Sequence, residues 1–499
     1  MRTLLNQKSE PVRSSSTQAV PARRGLALGV LLVMQLMVIL DGSIVTVALP
    51  TIQSDLGFTT SQLAWVVNAY LLAFAGLLLL SGRLGDLIGS RKVFLVGLAL
   101  FTIASVVAAL APSPEMLIAG RFLQGVGGAL ASAVILGMIV RLYPEPGEQA
   151  KAMALYSFIG AGGAAIGLIS GGLITQSIGW EGVFWVNVPF GVVAFVVALK
   201  VLSPESGIGF RQGADILGAA LVTGGLSLGV YAIVMIADPA VSGTRSALLG
   251  VVAALMIVAF LVRQAKAGTP LLPLRIFRNR QASAANAIVV TGFAAGFGFQ
   301  FMLALYLQGV LGLDALSTGL AFLPAPAMIA VVSLFFAARL VARFGPRPIL
   351  VIGFGALATG LVLLSRAPID GDYFVDIMPI LFLMGAGFGL ALPTVVMTAM
   401  AGAAPEDQGA ASGLNNTAQQ AGGAIGLAVL ATVAASATAS SAEAGAGAIE
   451  ALRDGYSLAF AIAAAFALLG VLIAIVFIRK PEEQPVEEEQ IAELATAAA

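Results

Sequence analysis

Gly82-Arg-Leu-Gly-Asp-Leu-Ile-Gly-Ser-Arg-Lys92 follows one long apolar run, and Ala338-Arg-Leu-Val-Ala-Arg-Phe-Gly-Pro-Arg-Pro348 follows another, with Arg, Leu, Gly and Arg in register 256 residues apart. A second pair, Gln124-Gly-Val-Gly127 and Met384-Gly-Ala-Gly387, repeats at an offset of 260. Crossing about 30 Å of hydrocarbon takes roughly 20 apolar residues of helix. Fourteen such runs lie between residues 26 and 478, and the matched stretches belong to runs two and ten, and four and twelve. The repeat therefore advances by eight helices. The expectation is an all-α integral membrane protein of 14 transmembrane helices, with six-helix bundles at 26–202 and 281–480 and two inserted helices with cytoplasmic flanks at 203–280. A cytoplasmic arm, 1–25, precedes them and an acidic cytoplasmic tail, 481–499, follows. Parallel repeats with a site between the halves are a transporter architecture.

Composition agrees. Of 499 residues, 59% are hydrophobic and only 10% charged, where a soluble chain carries about a quarter charged. The 26 basic and 26 acidic residues cancel, so charge makes no case for nucleic acid as a partner. The absence of Cys and His removes disulfides, thiol nucleophiles, Cys/His zinc sites and imidazole-based triads. Gly225-Leu-Ser-Leu-Gly229 matches a hydrolase elbow, but lies mid-span in a chain without His. No enzyme, cofactor or metal site is expected, and no Walker sequence offers ATP as the energy source.

Charge position sets orientation. With the amino terminus inside, 22 of the 26 basic residues fall in cytoplasmic segments, and only Arg245, Arg366 and Arg453 fall outside. That bias implies an even number of spans with both termini cytoplasmic in the cell (inner) membrane.

Two charges lie within the spans, Asp41 in the first and Arg121 in the fourth, at matching depth. A lone intramembrane carboxylate costs about 2.5–3.5 kcal/mol on insertion scales and is a functional site by default. Paired with Arg121 it becomes a proton-coupling candidate, because parting the pair changes its affinity for a proton. Gly163, Gly167, Gly171 and Gly172 give span 5 a small-residue face suited to an interface between two rocking halves. Phe293, Phe297, Gln300 and Gln308 share one side of span 9, and Asn416 and Gln419 lie in span 13. An aromatic wall with a few amides suits a lipophilic, neutral or weakly cationic guest.

Several motifs carry a family resemblance. They are Leu40-Asp-Gly-Ser-Ile-Val-Thr-Val-Ala-Leu-Pro50, Trp65-Val-Val-Asn-Ala-Tyr70, the Gly82–Lys92 loop, Arg121-Phe-Leu-Gln-Gly-Val-Gly-Gly-Ala129, Gly163-Ala-Ala-Ile-Gly-Leu-Ile-Ser-Gly-Gly172 and Trp180-Glu-Gly-Val-Phe-Trp-Val-Asn-Val-Pro189. From Leu26 to Lys480 the chain resembles the fourteen-helix drug:proton antiporter group of the major facilitator superfamily. The resemblance implies proton-coupled multidrug or antibiotic efflux by alternating access, from a monomer embedded in the lipid bilayer. It makes Gly82, Asp86, Gly89 and Arg91 a gate latch, and Trp65, Asn68, Tyr70 and Gln124 substrate contacts. Leu87 and Ser90 stand where the family usually has basic residues, and Leu168 where its antiporters usually have Pro. Two other readings stay open, an exporter of one endogenous lipid or secondary metabolite and a non-transporting membrane sensor.

The basic asymmetry makes a direct prediction. Single cysteines at Ser113 or Gly371 should react with an impermeant maleimide in intact cells, and cysteines at Ser9 or Gln484 only after permeabilisation. Labelling at Ser9 in intact cells would reverse the orientation.

Overall fold

The computed structural model describes residues 21–204, 207, 209, 215–237, 243–268, 270–400 and 408–478. Most of the amino-terminal arm and the acidic tail, including Ser9 and Gln484, lie outside these residues. The helices are α1 (Pro21–Leu56), α2 (Thr60–Ile88), α3 (Ser90–Ala109), α4 (Pro114–Leu142), α5 (Pro146–Ile178), α6 (Gly182–Trp185), α7 (Asn187–Val201), α8 (Ile216–Val234) and α9 (Gly243–Lys266). They continue as α10 (Arg280–Gly309), α11 (Ala315–Ala321), α12 (Pro324–Val332), α13 (Ala338–Phe344), α14 (Pro346–Leu364), α15 (Met378–Met400), α16 (Gln408–Glu443) and α17 (Ala448–Phe477). No strand occurs among the described residues. Thirteen helical segments there are long and apolar enough to cross a membrane, one of them running from α11 through α13, and a shorter apolar stretch of α5 spans Gly162–Ile178.

Local chemistry sets where helices begin and break. Thr59 caps α2 in a reciprocal box with Gln62, and the Asp314 carboxylate accepts from the Ser317 amide at 2.7 Å to start α11. Gly89 and Gly345, the glycine matched in the sequence repeat, have φ of 97° and 79°, where a Cβ would be strained. Each separates two helices by a single residue.

Inside each half, the repeat becomes packing. Gly97 of α3 meets Gly127 of α4, and Gly353 of α14 meets Gly387 of α15; a Cβ on any of the four would lie 2.5–2.8 Å from facing backbone. Likewise Gly125 meets the Tyr70 carbonyl of α2, and Gly385 that of Ala325 in α12. Small residues at these crossings let the backbones touch.

The amino-terminal helices meet the carboxy-terminal ones along two seams. In the first, α2 runs along α16, where Thr417 donates to the Ala75 carbonyl (3.3 Å) and Leu79 packs on Gly413. In the second, α5 crosses α11, with Gly172 against Ala315 and Gly319 against the Leu168 carbonyl. Gln308 of α10 adds a tie, donating to the Val47 carbonyl of α1 at 3.0 Å. The inserted helices α8 and α9 pack on each other, and α8 lies over the first seam, touching both α2 and α16.

The glycine face of α5 is turned differently from the expectation. Gly163, Gly167 and Gly171 lie against Ile39, Ser43 and Ile44 of α1, inside the amino-terminal half, and of these four glycines only Gly172 meets the other half. The reason is angular. Residues 163, 167 and 171 follow one another at four-residue spacing, whereas 172 is rotated about 100° from 171.

Two substitutions should separate these roles. A Cβ at position 167 would sit 2.8 Å from the Ser43 side chain, so Gly167→Leu should cost on the order of 1–3 kcal/mol by overpacking and lower the melting temperature. A Cβ at position 172 would sit 2.5 Å from the Ala315 carbonyl, so Gly172→Leu should loosen the contact between the halves and lower the melting temperature less than Gly167→Leu does. Equal melting losses in both would erase the distinction.

Candidate functional site

Two places gather the polar and aromatic side chains, a buried network within the amino-terminal half and an apolar cavity between the halves. The network centres on Asp41, whose carboxylate is fully buried. Its Oδ2 accepts from Arg121 Nη1. Its Oδ1 accepts from Gln124 Nε2 (3.1 Å) and Asn187 Nδ2 (3.0 Å). Arg121, 1% exposed, also donates through Nε to the Val66 carbonyl (2.8 Å) and through Nη1 to Gln124 Oε1 (2.8 Å). Gln124 Nε2 reaches Ser105 Oγ as well, at 2.8 Å. The Arg121 guanidinium lies over the Tyr70 ring at 4.7 Å and near the Phe184 ring at 5.8 Å, so aromatic faces take up part of the cation's field.

Five helices, α1, α2, α3, α4 and α7, are tied through these groups. Arg121 and Gln124 share a face of α4 at i,i+3, and Gly125 lets α2 come close enough to offer the Val66 carbonyl. Removing one partner of such a pair leaves the other buried and uncompensated. Conversely, a proton delivered to Asp41 would neutralise the carboxylate and loosen its hold on Arg121.

Sequence reasoning brought Asp41 and Arg121 together but missed Asn187 and Ser105. Asn187 did carry a signal, as the only amide in the apolar run 182–199; Ser105 carried none. Gln124 and Tyr70, expected to contact substrate, instead serve the ion pair in this conformation. Asn68 is fully buried, with no hydrogen-bond partner for either amide atom.

The cavity, about 210 Å³, lies between α5 on one side and α10, α12 and α15 on the other. Phe293, Phe297 and Gln300 line it, the two rings 6.1 Å apart. Leu168, Phe322, Ile329 and Phe388 complete the wall, apolar positions that nothing in the sequence distinguishes from core. The other expected contacts lie elsewhere. Trp65 meets Tyr231 of α8 at 6.1 Å, Gln308 is spent on Val47, Asn416 donates to the Ser412 carbonyl (3.2 Å), and Gln419 to Asn415 Oδ1 (2.7 Å).

At the expected latch, Gly82 lies within α2 and Gly89 makes the break after it. Arg91 donates to the Leu199 carbonyl of α7 (2.8 Å) and Ser90 accepts from Arg141 of α4 (2.7 Å). Asp86 is 66% exposed and only 4.0 Å from Arg83 on its own helix. Bridging therefore falls to Arg91 and Ser90.

The Major Facilitator Superfamily model matches residues 31–427. The puromycin resistance protein pur8 of Streptomyces alboniger is 39% identical over 478 residues, 94% of either chain. The cephamycin export protein CmcT of Amycolatopsis lactamdurans is 37% identical over 410 residues, covering 81% of this chain and 84% of that one. Among solved structures, a bacterial homologue of the human lysosomal transporter Spinster, inward-facing and occupied, superposes with a TM-score of 0.65 at 15% identity, over 93% of this chain and 98% of that one; this likeness concerns the fold.

The network predicts strong non-additivity. Arg121→Leu should destabilise the protein by about 3–5 kcal/mol by stranding Asp41. Adding Asp41→Leu should recover much of that loss, measured as melting temperature in detergent. A double variant as unstable as the sum of the singles would show the pair to be independent.

Proposed function

The chain belongs to the Major Facilitator Superfamily of membrane transporters, and on that premise we propose that it exports lipophilic, drug-like or antibiotic compounds by alternating access, driven by protons entering through Asp41. In this reading the thirteen apolar segments and α5 make fourteen spans, arranged as two six-helix bundles with α8 and α9 inserted between them. Both termini are cytoplasmic, the membrane is the cell membrane, and the working unit is a monomer.

The observation that carries the reading is the pairing of an uncharged cavity between the halves with one buried carboxylate held by a guanidinium and two amides. The cavity supplies a place for a guest between rocking halves; the carboxylate supplies a group whose protonation changes the contacts joining five helices. Loss of Arg121 from Asp41 on protonation leaves the Gln124 amide as the side-chain tie of α4 to Asp41 of α1, which links proton binding to a rearrangement of the same half. The printed names of the relatives, resistance to puromycin and export of cephamycin, support small antibiotics as the kind of cargo.

Export of dyes from inverted vesicles tests the class of substrate; a panel handled one member at a time with a single success would favour a dedicated metabolite exporter. The coupling is tested in proteoliposomes. Asp41→Asn should abolish uphill, pH-driven export while sparing downhill movement, and Asp41→Glu should keep part of it. With one proton per neutral guest, one charge moves, worth roughly 2.3 kcal/mol per 100 mV, so neutral substrates should respond to membrane potential and monocations should not. Full gradient-driven accumulation by Asp41→Asn would remove Asp41 from the pathway.

A further inference from the structure

We propose that α13, the cytoplasmic end of the tenth span, swings about a single π-helical turn at Ser333–Ala337 as the protein changes state. The hinge exists because the carboxy-terminal copy of the repeat carries one residue that the amino-terminal copy lacks. This rests on the alternating-access reading above and assigns it a moving part.

The tenth span, α11 through α13, is the counterpart of α2, and equivalent contacts show where the two differ in length. Gly125 and Gly385 are matched glycines of the repeat, 260 residues apart. A Cβ on Gly125 would meet the Tyr70 carbonyl (2.4 Å) and Ala73 Cβ (2.9 Å) of α2; one on Gly385 would meet the Ala325 carbonyl (2.5 Å) and Met328 Cβ (3.0 Å) of α12. Tyr70 and Ala325 are 255 residues apart, as are Ala73 and Met328. Toward the cytoplasm the offset becomes 256, where Gly82 matches Ala338 and the positive-φ Gly89 matches the positive-φ Gly345. One additional residue therefore lies between Met328 and Ala338.

That residue is taken up by the π-turn. Whereas α2 runs unbroken from Thr60 to Ile88, Ser333–Ala337 form one π-helical turn between α12 and α13. A π-turn closes its hydrogen bonds over five residues instead of four, so it absorbs one added residue and leaves the packing of both flanks in register with the other half. It also interrupts the i→i−4 ladder, and such interruptions are where long helices bend.

The two sides of the turn are held differently. Upstream, α12 lies on the glycines of α15: besides the Gly385 contacts, a Cβ on Gly389 would sit 2.9 Å from Val332 Cβ and 3.0 Å from the Ile329 carbonyl. The Ser333 hydroxyl pins the start of the turn by donating to the Gly389 carbonyl at 2.9 Å. Beyond the pin, Leu334, Phe335 and Phe336 are exposed, and Ala337 alone of the turn is buried. Downstream, α13 has no buried residue, and Arg339 is spent on its own helix, donating to the Phe335 carbonyl (2.8 Å). The matching end of α2 is packed instead, with Gly85 against Val134 of α4 and Leu87 buried. A clamped segment and a loosely held one, joined by a turn whose hydrogen bonding can change, are the parts of a hinge.

The chain has no native cysteine, so paired nitroxide labels on introduced cysteines in the full-length protein, reconstituted in liposomes, measure the hinge as a distance. Leu320 and Phe344, both exposed, bracket the turn, and Ile449 and Leu472, exposed on the unbroken helix α17, form a control pair. Exposed Leu155 of α5, paired with Phe344, reports the separation of the halves. From alkaline to acid pH, with and without a neutral dye, the Leu320–Phe344 distance should change by about 3 Å or more, roughly half the rise of a helical turn. The Ile449–Leu472 distance should stay constant. A constant Leu320–Phe344 distance while Leu155–Phe344 moves would overturn the hinge and leave alternating access standing; if neither pair moves, both readings fail. Deleting Phe336 should shorten the turn to α-helical length, keep the melting temperature, fix the Leu320–Phe344 distance and lower dye export several-fold. Unchanged export by that variant would overturn the hinge. If the deletion prevents folding, the label distances across the intact turn decide.

Discussion

A carboxylate and a guanidinium buried together in an apolar bundle constrain everything around them. Asp41 and Arg121 are buried away from bulk solvent, so each draws on protein partners. Gln124, Asn187 and the Val66 carbonyl do this, with Ser105 in turn held by Gln124, and these groups come from α4, α7, α2 and α3. The network thus fixes how five helices are rotated as well as where a charge resides.

Close helix approach is the second constraint, and glycine supplies it in both halves. Equivalent crossings, Gly97 on Gly127 and Gly353 on Gly387, show the sequence repeat expressed as backbone contact. The same device is used selectively between the halves. One seam, α2 on α16, is long and covered by α8; the other, α5 on α11, is a short crossing at Gly172 and Gly319 beside a cavity.

How much was legible follows from what each residue type signals. A charge in a long apolar run is conspicuous, so Asp41 and Arg121 could be paired from depth alone. Asn187 was visible as a lone amide, but no sequence spacing says that it faces Asp41, 146 residues away. Amides and aromatics on α2, α4 and α16 looked like substrate contacts because polar groups within spans often line a path; Tyr70 and Gln124 are instead consumed by the ion pair, and Gln308 by a helix tie. The cavity wall of Leu168, Phe322, Ile329 and Phe388 carries no signal, since an apolar residue facing a cavity and one facing lipid read alike.

The sequence by itself determined that this chain is a bundle of membrane-crossing helices, because hydropathy and run length depend only on composition along the chain. It determined the duplication, through the matched loops after runs two and ten, and the lone acid–base pair, through their charge. Only the tertiary structure decided which way each helix faces. The α5 glycines turn mainly to α1 rather than to the other half, Arg91 and Ser90 rather than Asp86 make the ties at the latch, and α8 lies across the α2–α16 seam. Those outcomes are set by rotations of about 100° per residue and by which partner a crossing brings within reach, quantities that depend on contacts between residues far apart in the chain.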